Sequence, residues 1–290
     1  MFTTHCKVVG REWFAAGFTG RQKGVIMKTK LLITIITAAF AGALHAQINV
    51  GVNYIHGTDT SVHSGSSNTN DASNSSVGGY KNWILTNSSD CFIGGGAYNV
   101  AGGLAATIAG GYDNFATNNF STIGGGIGNT IGANGATIPG GAYAVADHFG
   151  QLAYSSQKFL NNGDSQASMF VLREITTDAA TTTELSLVGP GYVSRMTIGT
   201  GGVWSFRVLV TAKRPATGDT AAWEIKGLIK NISGTPAIVQ QTSNSIGADG
   251  GASTWTANAA AQNGSLVINV TGGVSSTVYW TAVVTTCELN

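Results

Sequence analysis

From Phe92 onward the chain repeats itself every fifteen residues. FIGGGAYN starts at Phe92, TIAGGYDN at Thr107, TIGGGIGN at Thr122 and TIPGGAYA at Thr137. Isoleucine falls at Ile93, Ile108, Ile123 and Ile138, and a Gly-Gly pair follows each one. Asparagine closes the unit at Asn99, Asn114 and Asn129, with Ala144 in its place in the last copy. A degenerate copy, VGGYKN, spans Val77 to Asn82, with a two-residue insertion before the next. Helical hairpin repeats need over about 30 residues, so this period excludes them. It suits one coil of a parallel β-roll or solenoid: two short strands and two turns. The glycines then sit at tight corners, one isoleucine per coil points inward, and the asparagines stack as a ladder of amides.

So thin a coil buries little. One fully buried isoleucine contributes roughly 1.5–3 kcal/mol, while ordering fifteen backbones costs roughly 15 kcal/mol or more. Backbone ladders recover part of that. Association of several chains around a shared interior is expected to supply the rest, and a homotrimer is the predicted assembly.

The repeats resemble the heads of trimeric autotransporter adhesins, and more closely the STIGGG-type repeats of bacterial surface and phage tail-fibre proteins. The resemblance covers about residues 76–148 and implies a β-roll in a three-chain bundle. It departs from the adhesins at the end of the chain. VYWTAVVTTCELN reads as the last strand of a soluble domain rather than a membrane anchor, which argues against autotransport.

Beyond a neck at 149–165, residues 166–290 alternate apolar and polar side chains over short stretches. QASMFVLREI, VWSFRVLVTAKR, AAWEIKGLIKNI, SLVINVTG and TVYWTAVVTT are the clearest, and Gly, Asn, Asp and Ser turns separate them. Eight or nine such strands predict an antiparallel β-sandwich, jelly-roll-like. This half is similar to the C-terminal β-domain of phage tail fibres, and the resemblance implies a trimeric tip without specifying a ligand. The expected fold class is therefore all-β throughout.

Met27 opens MKTKLLITIITAAFAGALHAQ, which has a basic start, fourteen apolar residues from Leu31 to Leu44 and small residues at a cleavage point. That order reads as a secretory signal peptide over 27–46, too short to span a bilayer. Residues 1–26 read as an upstream misannotated extension. Six of the 15 basic and one of the 14 acidic residues precede residue 47, so the remainder carries four net negative charges. The expectation is a secreted or surface protein with no nucleic-acid partner and no membrane span after cleavage. Residues 47–75, rich in Ser, Asn, Thr and Gly, read as a flexible leader.

Charged residues make up only 10% of the chain, and few of them suggest chemistry. His56, His63 and His148 are too scattered for a triad or a zinc site, the glycine runs lack a P-loop lysine, and no cofactor or metal is expected. Asp164, Asp178, Glu184, Asp219 and Glu224 are scattered acids that read as turn or solvated residues. Cys91 and Cys287 allow one disulfide. The expected function is non-enzymatic adhesion or receptor and glycan binding. A purely structural appendage or matrix component is the alternative, and a polysaccharide depolymerase the outsider. Trp255, in a Gly/Ala/Ser-rich stretch, is the best candidate for an exposed platform, with core placement the other reading. Tyr98, Tyr112 and Tyr143 either form an aromatic contact row or cover the coil edge.

Overall fold

The computed structural model describes residues 6–8, 11–13, 53–179 and 181–290. The chain divides into two units, Met1–Ile48 and Asn49–Asn290. In the first, Cys6–Val8 pairs antiparallel with Arg11–Trp13. The signal peptide expected at 27–46 lies outside the described residues. The second unit is all-β: a parallel solenoid of about seven turns, continued by antiparallel sheets.

From Phe92 to Ala146 each coil contributes a two-residue strand to each of two parallel sheets. In one sheet Thr107 pairs with Phe92 and Thr122, and Ile108 with Ile93 and Ile123, so side chains fifteen residues apart stack directly. The second residue of each strand points inward. Val77, Ile93, Ile108, Ile123 and Ile138 line one wall and Ile84, Ala101, Ala116, Ile131 and Ala146 the other, all fully enclosed. Isoleucine mostly faces alanine, which is how two walls fit in so thin a coil. The spacing is looser early in the chain, where Val77 pairs with Ile93 and Ile84 with Ala101. Because one chain's two walls enclose these isoleucines, the three-chain shared interior is not what buries them.

The second glycine of each pair has a steric cause. Gly111 has φ +98°, and a β-carbon there would stand 2.2 Å from the Gly126 carbonyl oxygen of the next coil. The asparagine that follows is wholly buried. Asn114 Nδ2 donates to the Gly110 and Gly126 carbonyls at 3.3 and 3.0 Å, and its Oδ1 accepts the Asn129 N–H at 3.0 Å. The same link joins Asn68 to Asn82 and Asn82 to Asn99, and it ends where Asn129 Oδ1 accepts the Ala144 N–H at 3.0 Å.

The coils begin earlier than the sequence suggests. Tyr54–Ile55, Ser61–Ser66 and Thr69–Asn70, inside the stretch read as a flexible leader, pair in parallel with later coils. Their interior is polar: Asn68 and Asn70 are buried, and the Asn70 Nδ2 donates to the Ser75 carbonyl at 3.0 Å. Hydrogen bonding replaces the apolar filling whose absence underlies the flexible reading.

The expected neck also carries structure. Leu152–Tyr154 stacks on the last coil and pairs antiparallel with Ser165–Thr176, so one twelve-stranded sheet runs from the solenoid into the antiparallel part. Val278–Leu289 lies between Ser165–Thr176 and Val203–Lys213, followed outward by Thr220–Lys230 and Ala237–Ala248. A smaller antiparallel sheet is centred on Ser265–Thr271. Phe170, Trp204, Val208, Ile225, Trp280 and Val284 of the large sheet share one core with Leu185, Met196, Leu266 and Ile268. Cys91 is buried and Cys287 exposed, and both are free thiols. Among the described residues, no helix is long and apolar enough to cross a membrane, and no group of His, Cys, Asp and Glu could hold a metal ion.

Candidate functional site

The glycine–asparagine corner gives the solenoid one outward edge. Between the two residues the chain turns through a left-handed position, occupied in successive coils by Lys81, Tyr98, Asp113, Gly128 and Tyr143. The preceding residue, bridged to its equivalents, is Tyr80, Ala97, Tyr112, Ile127 and Ala142. Tyrosine therefore alternates between two neighbouring positions along the edge. Tyr80 and Tyr98 meet edge-on with centroids 5.9 Å apart, and Tyr98 and Tyr112 at 5.3 Å. All three are solvent-facing, at 43%, 38% and 49% exposure. The Lys81 ammonium lies 5.2 Å from the Tyr80 ring centre and 5.4 Å from that of Tyr98. These two rings hold the Lys81 pKa above its ordinary value, Tyr80 through its hydroxyl most of all.

Tyr143 stands apart from this group. Its ring occupies the space beside Gly128, where a β-carbon would fall 2.5 Å from it, and the Lys158 ammonium covers the ring at 4.2 Å. Sequence spacing alone put Tyr143 in the row; the glycine before it and the lysine above it draw it aside. Trp255, expected as an exposed platform, is only 4% exposed. Its ring leans on Trp280 at 5.9 Å, and Trp280 stacks on Trp223 at 5.6 Å, so core packing decides its place.

A cavity of about 160 Å³ opens where the last coil meets the antiparallel part. Asp147, His148, Asn162, Gln166, Trp204, Glu288 and Asn290 are among its lining residues. His148 is 6% exposed. Its Nδ1 faces the Asp147 carboxylate at 2.7 Å and the Gln151 Oε1 at 3.1 Å; its Nε2 faces the Thr197 carbonyl at 3.1 Å. Gln151 Oε1 also accepts the Asp147 and His148 backbone N–H groups, so it is an acceptor in that position. Nδ1 faces acceptors and so carries a proton, while the Thr197 hydroxyl, 2.9 Å from Nε2, can accept from that nitrogen or donate to it. Burial opposes the charge, but the Asp147 carboxylate outweighs it, with Gln151 and Glu288 adding, and the His148 pKa is raised. Glu288, 2% exposed, accepts from Gln166 Nε2 at 2.8 Å and from the Thr286 hydroxyl. Gln166 also exchanges hydrogen bonds with the Val145 N–H and carbonyl, both at 2.9 Å, standing in for a further strand at the edge of the second sheet. No local motif marks this cavity, since its walls come from four distant stretches of chain.

The acids singled out from sequence each have a structural partner. Asp164 accepts three backbone N–H groups, led by Leu160, which lower its pKa. Glu184 pairs with Arg195 at 2.8 Å, Asp219 with Arg214 at 3.3 Å, and Glu224 with Arg207 and Lys226. Asp178 Oδ1 accepts the Thr181 N–H at 3.0 Å.

No protein-family model and no curated protein sequence matches the chain. Among solved structures it is similar to the tailspike protein gp49 of Acinetobacter baumannii bacteriophage Fri1, a capsular polysaccharide depolymerase (8% identity, TM-score 0.28). It is also similar to the tailspikes of Acinetobacter baumannii phage AM24 (8%, 0.24) and Acinetobacter phage vB_ApiP_P1 (12%, 0.21). The matches cover 83%, 77% and 83% of this chain but only 60%, 50% and 56% of those proteins. The likeness is one of build. It nevertheless corrects the expectation of a non-enzymatic adhesive or structural protein, since one matching tailspike is itself an enzyme, and that exclusion is withdrawn.

Proposed function

We propose that this chain contacts polysaccharide along the aromatic edge of its solenoid. The observation that carries the reading is the unbroken group Tyr80–Tyr98–Tyr112 with Lys81 between two of its rings, solvent-facing and on a rigid backbone. Ring faces stack on sugars, phenol hydroxyls and the ammonium bond to hydroxyl or acidic substituents, and the coil spacing presents the contacts in a line along an extended chain. In this reading the protein is secreted and works as a trimer of coils related to the adhesin-head and tail-fibre repeats, with a jelly-roll-like knob.

A glycan array probed with the protein from Gln47 onward tests it. The expected result is binding to a defined class of polysaccharide, weakened about tenfold by Tyr98→Ala or Tyr112→Ala, the loss of one stacking contact. Silence across the array, or binding indifferent to both substitutions, refutes the reading.

The junction cavity supports a second reading, polysaccharide cleavage, because it sets two carboxylates, Asp147 and Glu288, in one cleft. Release of reducing sugar from a bound polysaccharide, abolished by Glu288→Gln while binding persists, would establish it. Binding without release leaves the first reading alone.

A further inference from the structure

Among the described residues, five buried side-chain nitrogen or oxygen atoms have no hydrogen-bond partner, and three of them belong to one cluster: Arg214 Nε, Trp255 Nε1 and Ser276 Oγ. Buried donors are rarely left unmade, because each costs the free energy of its lost hydration. The three side chains gather around Gly273. A β-carbon on that glycine would stand 2.6 Å from Ser276 Oγ, 2.7 Å from Arg214 Nη2 and 3.0 Å from Trp255 Nε1. Each group can donate a proton, and two of them can only donate.

The surrounding structure fixes these donors. Arg214 follows the Val203–Lys213 strand, its Nη1 lies 3.3 Å from Asp219 Oδ2, and its Nη2 donates to the Gly251 carbonyl at 3.1 Å. Its guanidinium carbon lies 5.4 Å from the Trp255 ring centre. Trp255 is in turn locked against Trp280. The fourth wall is the 272–277 loop, where Ser275 takes φ +48° and Val274 faces solvent. The cluster thus sits among the turns at the end of the sheet remote from the solenoid.

We propose that this cluster binds one small anion, a carboxylate group or a halide, held by the Arg214, Trp255 and Ser276 donors beside Gly273. A positive guanidinium and two neutral donors converging on one place match an acceptor carrying negative charge. Gly273 is required because any side chain would fill the same space. Asp219 engages Arg214 through Nη1, Nη2 is the guanidinium nitrogen beside Gly273, and Nε on the same group is left without a partner.

The test compares the full chain with Trp255→Phe, which keeps a ring in the core and removes its N–H, and with Ser276→Ala in the outer loop. Thermal unfolding is followed in sodium acetate and in sodium bromide against sodium gluconate of equal ionic strength, gluconate being too large to enter. Expected is a saturable rise in Tm with acetate or bromide, and an apparent affinity about tenfold lower in both variants, the loss of one charge-assisted hydrogen bond. Bromide-soaked crystals should show anomalous density within hydrogen-bonding distance of the three donors. Acetate acting alone assigns the site to carboxylates, bromide alone to halides. Equal curves in all three salts, or a response unchanged in both variants, overturns the proposal, as does a bromide-dependent rise in Tm without anomalous density beside the three donors.

Discussion

At the scale of single residues, the repeat is held by groups that a hydropathy reading passes over. Asn114 joins three coils through one amide: it donates to carbonyls of its own and the following coil and to Asn99 Oδ1, and it accepts the Asn129 N–H. Replacing it with alanine orphans the Asn129 N–H and removes a donor from the Gly126 carbonyl, all in a water-free corner. Each orphaned group costs about 1–3 kcal/mol, so Asn114→Ala should lower stability by about that much or more. Chemical denaturation reads it as a lower midpoint with an unchanged slope. The same residue at exposed Asn162 serves as contrast, and equal losses at both positions would deny the ladder its role. The fixed spacing of Asn99, Asn114 and Asn129 made the ladder readable in the sequence. Its extension back to Asn68 was not readable, because irregular spacing and a polar interior remove the periodic apolar signal.

At the scale of elements, the joint between the last coil and the antiparallel part depends on His148. The ring lies between the Asp147 carboxylate and Thr197, and its pKa is raised above the ordinary histidine value of about 6.5. A raised folded-state pKa contributes stability that is fully present below the unfolded value and is lost as pH climbs through the folded one. Stability should therefore fall from pH 6 toward alkaline pH, and His148→Gln should flatten that part of the curve while lowering its acid side. Denaturant midpoints across the range decide it; parallel curves for the two proteins would show that His148 is not the titrating group. Sequence reading assigns His148 no work, because the residue that completes its setting, Thr197, lies far along the chain. Trp255 failed for a related reason: its Gly- and Ala-rich neighbourhood looks like a surface loop, while Trp280 and Trp223, which bury it, lie elsewhere in the chain.

At the scale of the whole molecule, the outward face of the large sheet is the surface that one chain leaves unexplained. Val171 pairs with Val283, and Val283 with Leu209, so three partly exposed apolar side chains cross three adjacent strands in one row. On the next row Thr285 pairs with Arg207, and Arg207 with Lys226, where Glu224 joins the two cations. The solenoid closes its own isoleucine interior, so the trimer proposed above must draw on outward surfaces such as this one. A charge placed inside an apolar interface costs several kcal/mol, whereas on a solvated strand face it costs little. Light scattering of the protein from Gln47 onward should give three chain masses, and Val283→Glu should reduce this to one while leaving the far-ultraviolet circular dichroism unchanged. A single-chain mass for the unaltered protein removes the trimer. A trimer that survives Val283→Glu places the contact on the solenoid edges instead, where Phe92, Trp83 and Phe120 are among the exposed apolar side chains available to make it.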